Sequence, residues 1–445
     1  MVVGIHPASR LAGSVHPPGA KSGTVRGLLC GTLADGTSQI RNAGSGDNVA
    51  AMAAACRVLG ASIVETGPRT WQVSGTGSAL PLVAELDAGN SGIVLRLLTA
   101  VGAAMDRCVV STRNEASLGR RGNQEIIDAL RQLGAEASGE GADARPPLVV
   151  GRGAGLRGGR VTVSGRRSSQ FLSGLLFLAP LIGTEVEIAV TGGLSAAPMA
   201  MSTVAALARA GVVVGVSEDQ LSYYVAGGQR YQPAEFDVAS DASSMAGVLA
   251  ASAAVPGSAV EVTGFAGDDM GTTAMIRALR AMGVRIDQRD GALTCHGADE
   301  LRPIQLDGSA CPDSVLPLAA LACFAEGTSV FSNLETLRYK ECDRISDFRA
   351  ELMAAGADVD ERRDAIIVHG KGRVCGGAEV RGRHDHSVVM AMTVLALRSD
   401  HGLSIQGWEP VGQTYRRFFD DLRELGATVT GGVAGDESEE KSDEQ

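Results

Sequence analysis

One short pattern recurs six times along this chain of 445 residues: a helix ending in small or apolar residues, then a glycine, then an alternating strand. The six glycines are Gly60, Gly134, Gly211, Gly283, Gly356 and Gly426. Successive glycines lie 74, 77, 72, 73 and 70 positions apart. One glycine after a helix is an ordinary C-cap, whereas six at this regular spacing indicate a repeated unit of helices and strands.

Each repeat also contains a second helix that is apolar on nearly all sides. These helices are predicted at 22–34, 91–103, 168–181, 241–255, 312–325 and 385–397. A helix that is apolar all round is expected to be buried, while the glycine-terminated helices are amphipathic. The pattern therefore predicts an α/β fold in which sheets form a shell around buried helices.

Two domains are expected from the length and from the position of the repeats. Three glycine-terminated units precede the segment 228–235 and three follow it. We interpret this segment and 16–20 as the two crossings between the domains. The predicted first domain is 1–18 with 237–433, the second is 19–236, and 434–445 is predicted to be a disordered acidic tail.

Composition excludes several functional classes. The net charge is −11, but 436–445 alone holds six acids and one lysine, so the rest of the chain shows no basic face for nucleic acid. The longest apolar run, 171–182, is too short to span a bilayer, and no signal peptide is recognisable. Eight cysteines without a close pair favour a reducing compartment and no metal cage. We expect a cytoplasmic monomer without metal or cofactor.

Capping residues stand at the starts of several helices. Ser, Asn and Asp are preferred at such positions, so we interpret Asp47, Asp241 and Asp385 as helix caps. Free N–H groups at a helix start also favour anions, and basic residues there go beyond capping. Lys21 and Arg26 are of this kind. If these helix starts face one cleft, the cleft is expected to bind a polyanion.

The segment 337–345 places two acids and three bases between a predicted strand at 328–334 and a predicted helix at 343–355. One interpretation is that Asp343 caps the helix and that its charged neighbours are solvated surface groups. The density of opposite charges at a strand-to-helix turn favours a functional site instead.

Several motifs resemble those of a known family. They are Pro18-Gly-Ala-Lys-Ser22 with Arg26, Gly89-Asn-Ser-Gly-Ile-Val-Leu-Arg96, Ser168-Ser-Gln170, Pro312-Asp313, Arg338-Tyr-Lys-Glu-Cys-Asp-Arg344 and, more weakly, Asp385-His386. In these motifs and their order, the chain is similar to the enolpyruvyl transferases, and specifically to 5-enolpyruvylshikimate-3-phosphate (EPSP) synthases. The resemblance implies a two-domain inside-out α/β barrel, with three βαβαββ repeats around buried helices in each domain.

The resemblance also implies roles for individual residues. A site for shikimate 3-phosphate or a similar phosphorylated ring would be formed by Lys21, Ser22, Arg26, Ser168, Ser169, Gln170, Asp313, Thr336 and Lys340. Phosphoenolpyruvate would be bound by Lys21, Gly92, Arg121, Gln170 and Arg344. Asp313 would accept the proton of the ring hydroxyl, Glu341 would protonate the methylene carbon of phosphoenolpyruvate, and Lys21 would also be catalytic.

Several positions depart from the family pattern, among them Thr336, which replaces an asparagine. Ser387 stands where the family has an arginine that binds phosphoenolpyruvate, and Gln413 stands where it has a lysine. Losing two charge-assisted hydrogen bonds would weaken binding by roughly a hundredfold to ten-thousandfold. Ala196 and Met199 replace a serine and a tyrosine. A nearby cation, Arg416 or Arg417, could compensate at position 413.

Three hypotheses on function remain open. In the first, the chain transfers the carboxyvinyl group of phosphoenolpyruvate to a ring hydroxyl of shikimate 3-phosphate or of a close phosphorylated cyclitol. In the second, it eliminates phosphate or water from such a ring without phosphoenolpyruvate, in a specialised pathway. In the third, it is a non-catalytic paralogue that binds a phosphorylated metabolite. The presence of Lys21, Asp313 and Glu341 together argues against the third.

Overall fold

The structure is a computed structural model that describes residues 1–77, 79–265, 270–289 and 291–432. Of Met270 and Gln413 it describes only the backbone. The predicted acidic tail at 434–445 lies outside the described residues. In the part of the chain that is described, no helix is long and apolar enough to cross a membrane.

Twelve α-helices are present in the described residues. They are α1 Lys21–Leu33, α2 Asp47–Val58, α3 Gly92–Gly102, α4 Gln124–Gln132, α5 Gln170–Ile182, α6 Ala197–Arg209, α7 Ala242–Ala254, α8 Met270–Ala281, α9 Val315–Ala322, α10 Ser346–Ala354, α11 His386–Arg398 and α12 Phe418–Glu424. The odd-numbered helices are the apolar ones that the sequence predicts to be buried. Nearly all of their residues are buried, so this prediction is confirmed.

The strands number 24 in the same described ranges. They are β1 Val2–Ile5, β2 Ala12–Val15, β3 Asp35–Arg41, β4 Ser62–Gly67, β5 Thr70–Thr76, β6 Val83–Asp87, β7 Arg107–Ser111, β8 Glu136–Glu140, β9 Arg145–Gly151, β10 Gly159–Ser164, β11 Val186–Thr191, β12 Val214–Val216, β13 Ser222–Val225, β14 Glu235–Asp237, β15 Ala259–Val262, β16 Ile286–Arg289, β17 Ala292–His296, β18 Gln305–Asp307, β19 Gly327–Ser332, β20 Val359–Arg362, β21 Ala365–Gly370, β22 Glu379–Arg381, β23 Leu403–Gln406 and β24 Val429–Gly431.

The strands form six four-stranded sheets in the described structure. In the sheet β6-β7-β9-β8, the parallel strands β6 and β7 are joined by α3, then α4 follows, and β8 and β9 form an antiparallel hairpin. The order along the chain is βαβαββ, as expected from the resemblance. The sheets are separate from one another, so they form a shell without closing into one hydrogen-bonded barrel.

Two of the six units take their first strand from a distant part of the chain. Strand β14 pairs in parallel with β3, in the unit that contains α1 and α2. Strand β2 pairs in parallel with β15, in the unit that contains α7 and α8. Strands β14 and β3 lie within one continuous stretch of the chain, whereas the whole of that stretch separates β2 from β15.

The buried apolar side chains form two cores. The first core takes residues from β1, from β2 and from 245–427, and the second core takes residues from 25–238. Helices α7, α9 and α11 lie inside the first core, and α1, α3 and α5 lie inside the second. The domain boundaries given above stay a prediction, although this division of apolar residues supports them.

The chain passes between the cores twice, and the two passages lie side by side. The amide of Ala20 donates to the carbonyl of Ala239 at 2.7 Å. The second passage therefore lies later than the predicted crossing at 228–235. The reason is that Tyr231, inside the predicted crossing, is buried in the second core and belongs to it.

The repeated glycines end the six even-numbered helices in left-handed backbone conformations. Their φ angles are 104°, 88°, 77°, 92°, 93° and 105° in chain order. Glycine adopts this conformation without the steric cost that a side chain brings. The predicted C-caps are confirmed.

A second series of glycines marks where the last strand of a unit crosses the end of its buried helix. The series is Gly75, Gly151, Gly227, Gly297 and Gly370. A Cβ atom at Gly370 would overlap the carbonyl oxygen of Ala325 and lie 2.5 Å from that of Ala322. The shell can therefore approach the helix ends only where the strand has no side chain.

We predict that Gly370→Ala lowers the free energy of unfolding by about 1–3 kcal/mol, because backbone atoms cannot make room for the methyl group. Urea unfolding measures the loss. Gly67→Ala is the matched control, since a Cβ atom there meets nothing within 4 Å. Equal effects of the two substitutions would contradict the close-approach explanation.

Candidate active site

A cavity of about 1170 Å³ lies between the two cores. Its wall is built from the starts of α1, α3, α5 and α7 and from the segments 312–313, 336–344 and 383–384. Thirteen predicted site residues line this cavity; they are Lys21, Ser22, Arg26, Gly92, Arg121, Ser168, Ser169, Gln170, Asp313, Thr336, Lys340, Glu341 and Arg344. The helix starts thus meet at one cleft, while the roles of these residues stay proposals.

The guanidinium group of Arg344 holds three carboxylates together. Its Nε and Nη2 atoms donate to Asp385 at 2.7 and 3.1 Å. Nη2 also donates to Glu341 at 3.0 Å, and Nη1 donates to Asp313 at 3.4 Å. Arg344 is only 2 % exposed, and a buried charge of this kind needs complete pairing. The alternative interpretation of Arg344 as a solvated surface charge is therefore wrong.

Glu341 and Asp313 are held in the ionised form. Burial acts to raise the pKa of Glu341, but Arg344 and Arg121 outweigh it and keep this pKa well below its usual range. Burial also acts to raise the pKa of Asp313, and nearby cations, led by Lys340 and Arg344, lower it to about 2. The Asp313 side chain is 40 % exposed, so a ligand in the cavity can reach it.

Lys21 begins α1 and reaches across to the first core. Its ammonium group donates to Nε2 of His386 at 3.2 Å and to Oγ1 of Thr414 at 3.2 Å. Burial lowers the pKa of His386 to about 4, and the positive charge of Lys21 adds to this effect. His386 is therefore neutral near pH 7 and accepts the hydrogen bond.

Donor groups surround Gly92 at the start of α3. A Cβ atom there would lie 3.1 Å from Nη1 of Arg96 and 3.2 Å from both Nη1 of Arg121 and Oε1 of Gln170. Arg96 donates to Oε1 of Gln170 at 2.6 Å, which leaves the amide NH₂ of Gln170 for another partner. Nε and Nη2 of Arg121 are buried without a hydrogen-bond partner among the described residues. This corner can therefore bind an anion.

Arg26 and Ser22 lie together, as their spacing predicts. Nη1 of Arg26 donates to the backbone carbonyl of Ser22 at 2.9 Å. The same guanidinium group donates to the carbonyl of Met199 at 2.9 Å and to Oγ1 of Thr203 at 2.8 Å. Part of its donor capacity thus already supports the cavity wall, and the remaining donors are available to a ligand.

Four of the predicted site residues on the cavity wall have side chains that make no hydrogen bond or ion pair within the described structure. They are Ser22, Ser169, Thr336 and Lys340. The hydroxyl of Ser168 accepts a hydrogen bond from the backbone N–H of Gln170 at 3.2 Å. No group of three or more His, Cys, Asp and Glu among the described residues is placed to hold a metal ion.

The departures from the family pattern have different placements. Ser387 is 2 % exposed, its hydroxyl has no partner among the described residues, and it contributes nothing to the cavity wall. The side chain of Gln413 lies outside the described residues. Ala196 and Met199 line the cavity and make part of its wall apolar.

Neither of the two arginines proposed to compensate lies at the cavity. Arg416 pairs with Asp47 at 3.4 Å. Arg417 pairs with Asp421 at 3.1 Å and with Glu424 at 2.6 Å. The prediction that one of them replaces the missing lysine is therefore wrong in this structure, because acidic neighbours already hold both.

The predicted caps are confirmed at two of three positions. Asp241 accepts from the amide of Ser244 at 2.9 Å, and Asp385 accepts from that of Ser387 at 2.8 Å. At α2 the cap is Gly46, and Asp47 is the first helical residue, so that prediction is off by one position.

Sequence reasoning missed three residues that orient the site. Asp385, interpreted as a cap and quoted in a weaker motif, also binds Arg344. Arg96, quoted only as part of a motif, holds Gln170, and Asn123 accepts from Arg96 at 3.2 Å. The side-chain NH₂ of Asn123 in turn donates to the backbone carbonyl of Arg121 at 2.8 Å. A signal was present for Arg96, since an arginine within an apolar helix needs a partner.

Comparisons with known proteins show the family to which the chain is similar. The family described as EPSP synthase (3-phosphoshikimate 1-carboxyvinyltransferase) matches residues 5–422. The chain is 39 % identical over 425 residues to the 3-phosphoshikimate 1-carboxyvinyltransferase of Burkholderia pseudomallei (strain K96243), covering 95 % of this chain and 94 % of that one. The same enzyme of Deinococcus radiodurans is 35 % identical over 424 residues, covering 95 % of each chain. A solved EPSP synthase from Acinetobacter baumannii matches with a TM-score of 0.81 at 25 % identity, covering 97 % of this chain and 100 % of that one.

We predict that Asp385→Asn lowers the free energy of unfolding by about 3 kcal/mol, because it leaves the buried charge of Arg344 without its closest partner. Asparagine still caps a helix, so capping alone predicts little loss. Asp241→Asn is the control, since Asp241 caps α7 and forms no ion pair with an arginine in the described structure. Urea unfolding measures the free energy of unfolding of both variants. Equal decreases in the two would contradict the role given to Arg344.

We also predict a pH dependence of stability that comes from His386. Its pKa is about 4 in the folded protein against an ordinary value of 6.5, so the unfolded chain binds a proton that the folded one does not. As the pH falls from 6.5 towards 4, stability should decrease by up to about 1.4 kcal/mol per pH unit from this group. In His386→Gln this contribution should disappear. Urea midpoints at several pH values test this, and parallel curves for the two proteins would contradict it.

Proposed function

The chain belongs to the EPSP synthase family, and we propose that it transfers the carboxyvinyl group of phosphoenolpyruvate to a ring hydroxyl of shikimate 3-phosphate or of a close phosphorylated cyclitol. The substrate class comes from relatives whose names state this activity, and it is consistent with a cavity rich in cations between two cores. The proposal includes the cytoplasmic location and monomeric state expected from the sequence.

One observation carries the proposal: the cations that hold the two carboxylates ionised are those expected to bind the anions of the substrates. Arg344 contacts both Asp313 and Glu341, and Arg121 lies 3.8 Å from Glu341. Lys340 also lowers the pKa of Asp313. Phosphate and carboxylate groups of a ligand would compete for these cations, which would raise the pKa of both side chains. Substrate binding would thus prepare both groups to exchange protons.

The proposed reaction uses each carboxylate once in the addition step. Asp313 accepts the proton of the ring hydroxyl while the hydroxyl oxygen bonds to the phosphate-bearing carbon of phosphoenolpyruvate. With both substrates bound, Glu341 would take up a proton from solvent and deliver it to the methylene carbon, which becomes a methyl group. In the elimination step, Glu341 would take back one methyl proton and Asp313 would return its proton to the departing phosphate. This restores the carbon–carbon double bond of the carboxyvinyl group, which is now attached to the ring through oxygen. Lys21 and Arg121 would stabilise the charge on the departing phosphate.

The cations around Gly92 would bind the phosphate of phosphoenolpyruvate. Arg121 has unused donors there, and Gln170 presents its amide NH₂ because Arg96 occupies its oxygen. The ring phosphate would bind at Ser168, Ser169 and Lys340. This arrangement would give each phosphate its own donors and leave Asp313 and Glu341 near the reacting atoms.

The absence of an arginine at position 387 supports a second hypothesis, elimination of phosphate or water without phosphoenolpyruvate. Ser387 offers no charge and does not line the cavity. Asp313 and Glu341 would then remove and return protons on the ring itself. The two hypotheses differ in whether phosphoenolpyruvate is consumed.

We predict that the protein releases phosphate only when shikimate 3-phosphate and phosphoenolpyruvate are both present, as followed by phosphorus NMR. Asp313→Asn and Glu341→Gln should each lower kcat by about 10²–10⁴-fold, because each removes a proton-transfer group. Glu379→Gln, on the exposed face of β22, is the control and should leave kcat unchanged. Phosphate release from shikimate 3-phosphate alone would support elimination instead.

A further inference from the structure

Lysine is rare in this chain. Among 40 basic residues only four are lysines: Lys21, Lys340, Lys371 and Lys441. Two of the four, Lys21 and Lys340, line the cavity. An ammonium group is compact and carries three rotatable donors, whereas a guanidinium group is a wide planar fork. The two lysines therefore present compact charges at the cavity wall, and neighbouring acceptors direct that of Lys21.

The acceptors that direct Lys21 belong to the opposite core. Lys21 is the first residue of α1, which packs inside the second core. Its two hydrogen-bond partners, His386 and Thr414, lie at the start of α11 and between Val411 and Tyr415 of the first core. The contact spans the gap between the cores, so the position of this ammonium group depends on how closely they approach.

Both partners of Lys21 are neutral. The hydroxyl of Thr414 carries no charge, and His386 is uncharged near pH 7 because its pKa is about 4 through burial and through Lys21. Arg344, in contrast, is paired with three carboxylates. Lys21 is thus held in place while its positive charge stays available to a ligand.

We propose that Thr414 is a positioning residue whose hydroxyl, together with His386, holds the Lys21 ammonium at the gap for an anionic phosphate group. Thr414 is 3 % exposed and does not line the cavity, so it acts through Lys21 and not on the ligand. The inference rests on the proposed function only for the identity of that phosphate group, which would be the one on phosphoenolpyruvate.

The test compares Thr414→Val, which removes the acceptor at nearly constant volume, with Thr414→Ser, which restores it. Thr393→Val is the matched control, because Thr393 is a buried threonine of α11 that donates only to the carbonyl of Val389, at 2.9 Å. Protein labelled with ¹⁵N at the lysine ammonium groups gives four signals to assign, each by a Lys→Arg substitution. The Lys21 signal should shift in Thr414→Val and stay at its wild-type position in the other two variants.

Inorganic phosphate serves as the probe of binding, followed at the Lys21 signal. We expect its apparent Kd to rise about tenfold in Thr414→Val, the effect of losing one hydrogen bond to a charged group. The KM for phosphoenolpyruvate should rise by a similar factor with a smaller change in kcat, and Thr414→Ser should restore both. If Thr414→Val does not fold, Thr414→Ala removes the same acceptor and is read in the same way.

A Lys21 signal and a phosphate affinity that are unchanged in Thr414→Val would overturn the inference, whether or not turnover is observed. A shifted Lys21 signal in a protein that does not turn over shikimate 3-phosphate and phosphoenolpyruvate would support the inference and contradict the proposed function. The two failures are distinguishable because the signal is measured without either substrate.

Discussion

The buried guanidinium group of Arg344 is the interaction on which the first-core side of the site depends. It joins three segments, because Asp313 precedes α9, Glu341 lies in the turn before α10, and Asp385 caps α11. Removing a charge from water is costly, and only complete pairing offsets that cost. The three segments are therefore held in one arrangement. The same pairing keeps both candidate proton-transfer groups ionised, so structural support and chemistry use the same atoms.

On the second-core side of the cavity, the arginines are not fully paired with carboxylates. Arg96 and Arg121 stand close together, and several of their donors are directed to neutral oxygens or to no partner in the described structure. Grouped cations repel one another, and an anion relieves that repulsion. Glu341, 3.8 Å from Arg121, relieves it only in part. The cavity thus has one half in which charge is already balanced and one half in which a ligand would complete the balance. A ligand with two phosphates and a carboxylate would draw the halves together.

The departures from the family pattern show that the charge of a residue and its place in the sequence do not by themselves predict whether it reaches the cavity. At position 387, serine stands in place of the family's arginine, and its buried hydroxyl is unpaired among the described residues. Arg416 could have compensated by charge and proximity in sequence, yet Asp47 holds it on the surface. Lys21, Arg121 and Arg344, the cations proposed to bind phosphoenolpyruvate, all line the cavity, and further arginines such as Arg96 and Arg120 line it as well.

Hydrophobic periodicity and capping residues by themselves determined the six repeats, the buried helices and the helix ends. These are local properties, so the prediction for 385–397 differs by one residue from the observed His386–Arg398. The side-chain contacts that build the site join residues that are far apart in the sequence. Asp385 binds Arg344 across 41 positions, and Lys21 binds Thr414 across 393. Only the packing of two cores around a shared cavity brings such residues together, because a hydrogen bond depends on distance in space and leaves no periodic signal in the sequence.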